Sequence, residues 1–165
     1  SIKLKFGLTG DTHNNLRNIE IICSIFNDKK VDFVIHTGDI TLPKSLEIFS
    51  TLSMPLYGVF GNNDQGDKEA LKNVCKEHSF SFEDDILKIS ILNKNIMAIH
   101  DPLDIEEVHY DEMDIIVHGH THRYRNEFIN NTYIFNPGEC AGFFEGKNNL
   151  GIVDINDLSL EIINF

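Results

Sequence analysis

Ile2-Lys3-Leu4-Lys5-Phe6-Gly7-Leu8-Thr9-Gly10-Asp11-Thr12-His13 is the stretch on which the reading of this chain turns. Its alternating apolar residues predict a strand over 2–8, and its polar end, Asp11 to Asn14, predicts a loop. Leu16, Ile19, Ile22, Cys23 and Phe26 follow at helical spacing and make one apolar face. A strand that ends in an Asp-x-His loop and feeds a helix is the first half of a βαβ unit. In such folds ligand sites gather outside the carboxyl ends of the strands.

The pattern repeats. Asp32 to His36 reads as a strand ending at Gly38-Asp39, and Pro43 opens a helix with Leu46, Phe49 and Leu52 on one face. Pro55 to Phe60 is a third strand, ending at Gly61-Asn62-Asn63-Asp64, and Asp67 to Glu77 a third helix. Alternating strands and helices imply a largely parallel sheet. The second half is richer in strands. Ile86 to Leu92 and Asn95 to Ile99 predict a hairpin turning at Asn93-Lys94, and Pro102 to Tyr110 a short helix or ordered loop. Strands are expected over 114–117, 132–135, 150–155 and 158–163, with a turn at Asn156-Asp157. A second sheet packed on the first, in one domain over 1–165, is the expectation.

Composition narrows the function. With 165 residues the chain is long enough to bury a proper core. Asp and Glu number 26 against 14 Lys and Arg, a formal charge of -12, so extended nucleic acid is not an expected partner. A small phosphate ester is compatible with that charge. No apolar run reaches bilayer-spanning length, and nothing near the beginning resembles a signal peptide. Cys23, Cys75 and Cys140 form no CxxC pair, which favours a reducing compartment. The expectation is a soluble cytoplasmic protein without a membrane partner. All three thiols are read as packing residues, with a ligand or redox role left open for Cys140 in its loop.

The strand ends carry the chemistry. Asp11 and His13 are two residues apart, so both side chains can reach one point. Asp39 follows a glycine and has two oxygens able to bridge two cations. Asn62 offers a neutral amide oxygen. His100, His120 and His122 offer imidazoles, and the alternation His120-Thr121-His122 puts two on one side of an extended segment. Carboxylate, amide and imidazole together suit divalent transition metals better than magnesium or calcium.

In order, type and spacing these residues resemble the calcineurin-like metallophosphoesterase superfamily, and within it the small single-domain archaeal and bacterial phosphodiesterases. The resemblance rests on Asp11-x-His13, Gly38-Asp39, Gly61-Asn62-x-Asp64, His100, Gly119-His120-Thr121-His122 and the loop Asn136-Pro137-Gly138. It implies an α/β metallo-dependent phosphatase fold: a four-layer αββα sandwich of two mixed β-sheets flanked by helices. It further implies two divalent cations, manganese foremost, with nickel, iron, cobalt or zinc as alternatives. One would take Asp11, His13, Asp39 and His122; the other would take Asp39, Asn62, His100 and His120. The reaction implied is hydrolysis of a phosphodiester by a hydroxide bridging the two metals, with Asp11, Asp39, Asn62 and His100 acting through it. Two divalent ions less two carboxylates and one hydroxide leave positive charge for a phosphoryl group, and a pair about 3.5–4 Å apart can clamp it. A homo-oligomer is left open.

Departures from the family pattern matter as much. The third motif usually carries a histidine where this chain has Asn63, so the group thought to protonate the leaving alcohol is missing. His100 is followed by Asp101 rather than glycine, which would either strain a turn or set a carboxylate beside an imidazole. Other readings are plainer. His36 and His118 are expected as packed core histidines, and His78 and His109 as surface residues. Asp64 is read as orienting Asn62 or as a helix cap, Glu139 as a neighbour of the ligands or as solvated. Phe143 and Phe144 are read as loop residues covering the core, with a substrate or oligomer surface as the alternative. The competing functions are a phosphomonoesterase acting on a small metabolite and a non-catalytic scaffold like the retromer subunit of this fold.

Overall fold

The computed structural model describes residues 2–165. Its elements in chain order are β1 (Lys5–Thr9), α1 (Leu16–Lys29), β2 (Phe33–His36), α2 (Pro43–Ile48), β3 (Leu56–Val59), α3 (Lys68–His78) and β4 (Ser81–Glu83). These are followed by β5 (Ile86–Ile91), β6 (Lys94–Ile99), α4 (Glu107–Glu112), β7 (Ile115–His118), β8 (Arg125–Ile129), β9 (Thr132–Asn136), β10 (Asn149–Asp154) and β11 (Ser159–Asn164). Short 3-10 turns occupy Phe49–Thr51, Asn62–Asp67 and Pro102–Asp104.

Two mixed sheets form. The first has six strands in the order β11-β10-β1-β2-β3-β4, parallel from β1 to β4 and antiparallel at β10 and β11. The second has five in the order β5-β6-β7-β9-β8, with β6, β7 and β9 parallel. This is the expected layered sandwich. In β1 the alternation is visible residue by residue: Phe6 and Leu8 join Phe33, Ile35 and Val59 against Leu87, Ala98, Ile115, Val117 and Phe135 of the second sheet. The opposite face of the first sheet packs on α1 to α3 through Ile19, Ile22, Phe26, Leu46, Phe49 and Leu71. The outer face of the second sheet is closed by Met97, Ile99, Ile116 and Ile134, with Met113 and Tyr110 from the α4 region. Phe26 is fully buried, and its loss to alanine would cost about 3–5 kcal/mol.

Helix α1 begins where Asn15 accepts a hydrogen bond from the Asn18 amide at 3.0 Å and ends at Lys30, whose φ of 54° is left-handed. Several boundaries differ from the sequence reading. The first strand runs Lys5–Thr9, because Asp32 pins the Lys5 amide at 2.9 Å and pairing with β2 starts only at Phe6. The third helix starts at Lys68, since residues 62–67 wind as a 3-10 turn. The hairpin turns at Leu92-Asn93, both at positive φ, rather than at Asn93-Lys94. Residues 102–112 divide into a 3-10 turn and α4. Strands β4 and β8 were not foreseen: both are short and largely exposed, and their pairing with β3 and β9 forms them.

Candidate metal centre

The C-terminal ends of β1, β2 and β3 in the first sheet and of β6 and β7 in the second meet at one rim. Backbone bonds stitch it together: the Asp11 amide donates to Gly38 O at 2.8 Å, and His13 to Asp39 O at 2.9 Å. Across the sheets, the His120 amide donates to Asp11 Oδ2 at 2.9 Å. The seven residues singled out from sequence are placed together here. Asp11, His13 and His122 form one group and Asp39, His100 and His120 another, each with ligand-type atoms within 4.8 Å of one another. Asn62 joins the second, its Oδ1 lying 2.9 Å from His100 Nε2.

The backbone here is bent out of ordinary conformations. Of the seven, Asp11, His13, Asp39, His120 and His122 all have φ between 49° and 70°. Left-handed backbone is costly for residues other than glycine and collects at functional sites. Room for the bend comes from glycines. Gly38 has φ of 106°, and a Cβ on it would sit 2.8 Å from both Gly61 N and His100 Nδ1. A Cβ on Gly119 would sit 2.6 Å from Asp11 Oδ2.

The imidazoles are oriented from behind. The Thr37 carbonyl lies 2.9 Å from His100 Nδ1, so that nitrogen donates and Nε2 turns its lone pair to the cluster. Glu139 Oε2 lies 2.8 Å from His122 Nδ1 and fixes that ring likewise, with Nε2 3.8 Å from Asp11 Oδ1. The rings of His13 and His122 stack at 5.7 Å. His120 turns Nδ1 toward His100 Nε2 at 3.2 Å, and its Nε2 lies 3.7 Å from Asp101 Oδ2.

Charge is concentrated in little solvent. Burial pushes the Asp11 carboxyl up, against the pull of His100 and His122. Burial also opposes the Asp39 charge, yet His100 and the Asn63 donors outweigh it and hold Asp39 well below the usual carboxylate range. His100 would be lowered by burial, but the Asp39 carboxylate beside it raises it. Asp11 Oδ1 is buried with no hydrogen-bond partner. An orphaned carboxylate oxygen facing imidazole nitrogens fits a cation. The residues present therefore fit two divalent ions.

Residues around the ligands carry roles that sequence resolved less well. Asp64 is fully buried and accepts hydrogen bonds from the Gly61, Thr41 and Asp39 amides at 2.7, 2.7 and 2.9 Å. It caps the 62–67 turn through Gly61 and also ties that turn to the β2 loop, and no hydrogen bond joins it to Asn62. Asn63 donates to both oxygens of Asp39, from its amide at 3.0 Å and its side chain at 2.9 Å. Asp101 sits at φ −99°, without strain, and accepts from the Leu103 amide at 2.9 Å. His36 and His118 are buried as expected. His36 Nδ1 accepts from the Gly38 amide and its Nε2 meets Thr12 Oγ1. Burial lowers these two rings to about 3 and about 4. Cys140 is fully buried, its thiol pushed up to about 12 by burial.

Two expectations are corrected. His109 is buried, because its Nδ1 accepts the Glu106 amide at 2.9 Å and draws the ring inward. His78 is partly exposed at the surface as expected, with Nε2 2.6 Å from Glu47. Phe143 and Phe144 do not cover the core; each is 72% exposed. Glu139 is the neighbour that sequence left undecided, and only the fold brings it beside His122.

Comparison with known proteins agrees with this geometry. The calcineurin-like phosphoesterase superfamily domain matches residues 4–158, and the chain belongs to that family. The family uses divalent metal ions. The chain is 34% identical over 159 residues to phosphodiesterase MJ0936 of Methanocaldococcus jannaschii, covering 92% of this chain and 93% of that protein. Its fold superposes on the structure of an archaeal phosphodiesterase with a TM-score of 0.88 at 30% identity, over 98% of this chain and all of that one (100%). A Vps29 from Entamoeba histolytica shares the fold, at a TM-score of 0.68 and 17% identity, over 98% of this chain and 99% of that one. Among the described residues no helix is long and apolar enough to cross a membrane.

Proposed function

We propose that this chain is a phosphodiesterase that cleaves small phosphate diesters at a centre of two divalent transition metals, manganese foremost. The supporting observation is the convergence of Asp11, His13 and His122 in one group and Asp39, His100 and His120 in another, with Asn62 beside the second. Asp11, His13, Asp39 and His122 would hold one cation, and Asp39, Asn62, His100 and His120 the other. When bound, the pair supplies Lewis acidity toward phosphoryl oxygens and a nucleophilic water. The chain supplies the rest. Asp64 and Asn63 fix the Asp39 loop and carboxylate, and Glu139 and Thr37 hold two imidazoles in the tautomer that leaves Nε2 free.

No histidine stands at position 63, and the Asn63 amide is already committed to Asp39. Substrates with good leaving groups are therefore favoured, or a water carries the proton. The complete ligand set weighs against the scaffold reading. Turnover of bis(p-nitrophenyl) phosphate under metal titration tests the proposal, with Asp39→Ala expected to abolish it while the far-UV spectrum stays native. Full activity in Asp39→Ala would overturn the shared-ligand assignment. Faster cleavage of p-nitrophenyl phosphate than of the diester would favour a monoesterase.

A further inference from the structure

A cavity of about 490 Å³ opens beside the ligands, with Asn62 and His100 in its inner wall. Beside the neutral Gln65 and His109, its charged lining is one-sided. Asp84, Asp85, Asp101, Asp104 and Glu106 present carboxylates, and no lysine or arginine lines it. Lys68 and Lys72 reach one of these, Asp84, at 3.3 Å each, and Lys68 also meets Gln65 at 3.2 Å and the Phe60 ring at that end of the wall; among the described residues the other four have no lysine or arginine partner. Asp101 Oδ1 is held by the Leu103 amide, and its Oδ2 is 3.7 Å from His120.

A second feature of the wall is independent of that charge. His109 is 94% buried (6% exposed) and lines the cavity. Its Nδ1 accepts the Glu106 amide, so in the neutral ring the proton sits on Nε2. Among the described residues Nε2 has no hydrogen-bond partner. That N–H faces the cavity and is free to donate to an acceptor that enters it.

Building on the phosphodiesterase reading, we propose that this cavity receives one ester arm of the substrate. That arm is a small alcohol bearing a positive charge, and His109 Nε2–H donates to an oxygen of the same ester. A phosphate at the centre places its arm between the ligands and the carboxylates. A cationic arm is attracted there, and an arm carrying phosphate or carboxylate is repelled. Nucleotide and polyphosphate arms are thereby disfavoured, while amino alcohols fit the volume and the charge.

The test compares p-nitrophenyl phosphorylcholine with p-nitrophenyl 3,3-dimethylbutyl phosphate, its uncharged carbon isostere, using the metal-loaded full chain. The expected preference in kcat/KM for the choline ester is about tenfold, the effect of roughly one well-placed ion pair. Asp104→Asn combined with Glu106→Gln should bring the ratio near unity. Because both esters are measured on each protein, altered overall activity cancels. Choline itself should inhibit competitively, and 3,3-dimethylbutanol should not. His109→Gln should raise KM for both esters several-fold and keep their ratio.

Equal rates on the two esters, or a preference that survives the double substitution, would overturn the cationic-arm assignment. An unchanged KM in His109→Gln would remove that residue from the contact. Bis(p-nitrophenyl) phosphate separates the two levels. Its cleavage without a choline preference sinks only this inference, whereas no cleavage with any metal sinks the phosphodiesterase reading too.

Discussion

The Asp64 carboxylate accepts the backbone N–H of Asp39 at 2.9 Å, so a residue outside the proposed ligand set fixes the backbone from which the Asp39 side chain departs. The same carboxylate takes the Thr41 and Gly61 amides, and it is fully buried. Removing it leaves two buried donors and one half-buried donor, the Thr41 amide, unpaired, the buried ones costing about 1–3 kcal/mol each. Asp64→Ala is expected to lower stability by several kcal/mol, and to weaken metal binding because the Asp39 loop loses its anchor. Asp64→Asn keeps the volume but opposes one N–H with its own NH2 group, and should fall between. Thermal unfolding with calorimetric metal titration checks both effects; a variant that binds metal normally would contradict the anchoring role.

Glu139 lies 2.8 Å from His122 Nδ1 and holds the Ala141 amide with its other oxygen. Loss of such a carboxylate behind a metal-ligating histidine typically costs about 10–100-fold in metal affinity or activity. Glu139→Gln is expected to lower metal affinity in that range while the unfolding temperature of the metal-free protein moves little. Unchanged affinity would show that the His122 ring is oriented by packing on His13 instead.

At position 63 the side chain serves Asp39 rather than a leaving group. Asn63→His is expected to raise rates on diesters with poor leaving alcohols relative to p-nitrophenyl diesters, flattening the dependence on leaving-group pKa. It should also loosen Asp39, since a hydrogen bond to a charged group is worth about 1.5–3 kcal/mol. A leaving-group series on both proteins decides. If the wild type is already flat, another proton donor is at work.

Burial holds His36 near 3 and His118 near 4, below the ordinary histidine value of 6.5. An unfolded chain takes up those protons as pH falls through 6.5 while the folded chain refuses them, so acid favours unfolding. Stability of the metal-free protein should therefore fall between about pH 6.5 and 4, on the order of 1 kcal/mol per pH unit for each ring, less what the Asp11 and Asp64 carboxyls, both pushed up by burial, return by taking up protons as pH falls. Asp39, held below its usual range, adds its own loss only at lower pH. His100, raised, shifts stability only near and above neutrality, where it is lost as pH rises. Denaturant unfolding at about pH 4.5 and about pH 7 measures the difference, and equal values would contradict the neutral buried rings.

Much of this molecule is legible in its sequence because the chemistry sits in short local pieces. Asp11-x-His13, Gly38-Asp39 and His120-x-His122 each place ligand types at a strand end, and helical spacing in 16–26 declares α1. What escapes is whatever depends on distant pairing. β4 and β8 are too short and polar to announce themselves and exist through β3 and β9. Glu139 meets His122 because the loop after β9 runs beside the loop after β7, a neighbourhood no spacing encodes. His109 looks like a surface residue of a short helix, and a single backbone amide three residues earlier turns it inward. Phe143 and Phe144 mislead in the opposite sense, since apolarity alone predicts cover and the loop carries them outward.

Each group of ligands draws on both sheets: Asp11 and His13 face His122, and Asp39 faces His100 and His120. A cation held in either group would thus be a rivet through two layers already joined at this rim by the His120 amide on Asp11 and by His100 on the Thr37 carbonyl. Chelation would do more than silence chemistry, because it would leave that edge of the sandwich to its hydrogen bonds alone and let the layers breathe more. The supply of metal in the protein's surroundings would then govern how rigid the molecule is, as well as whether it works.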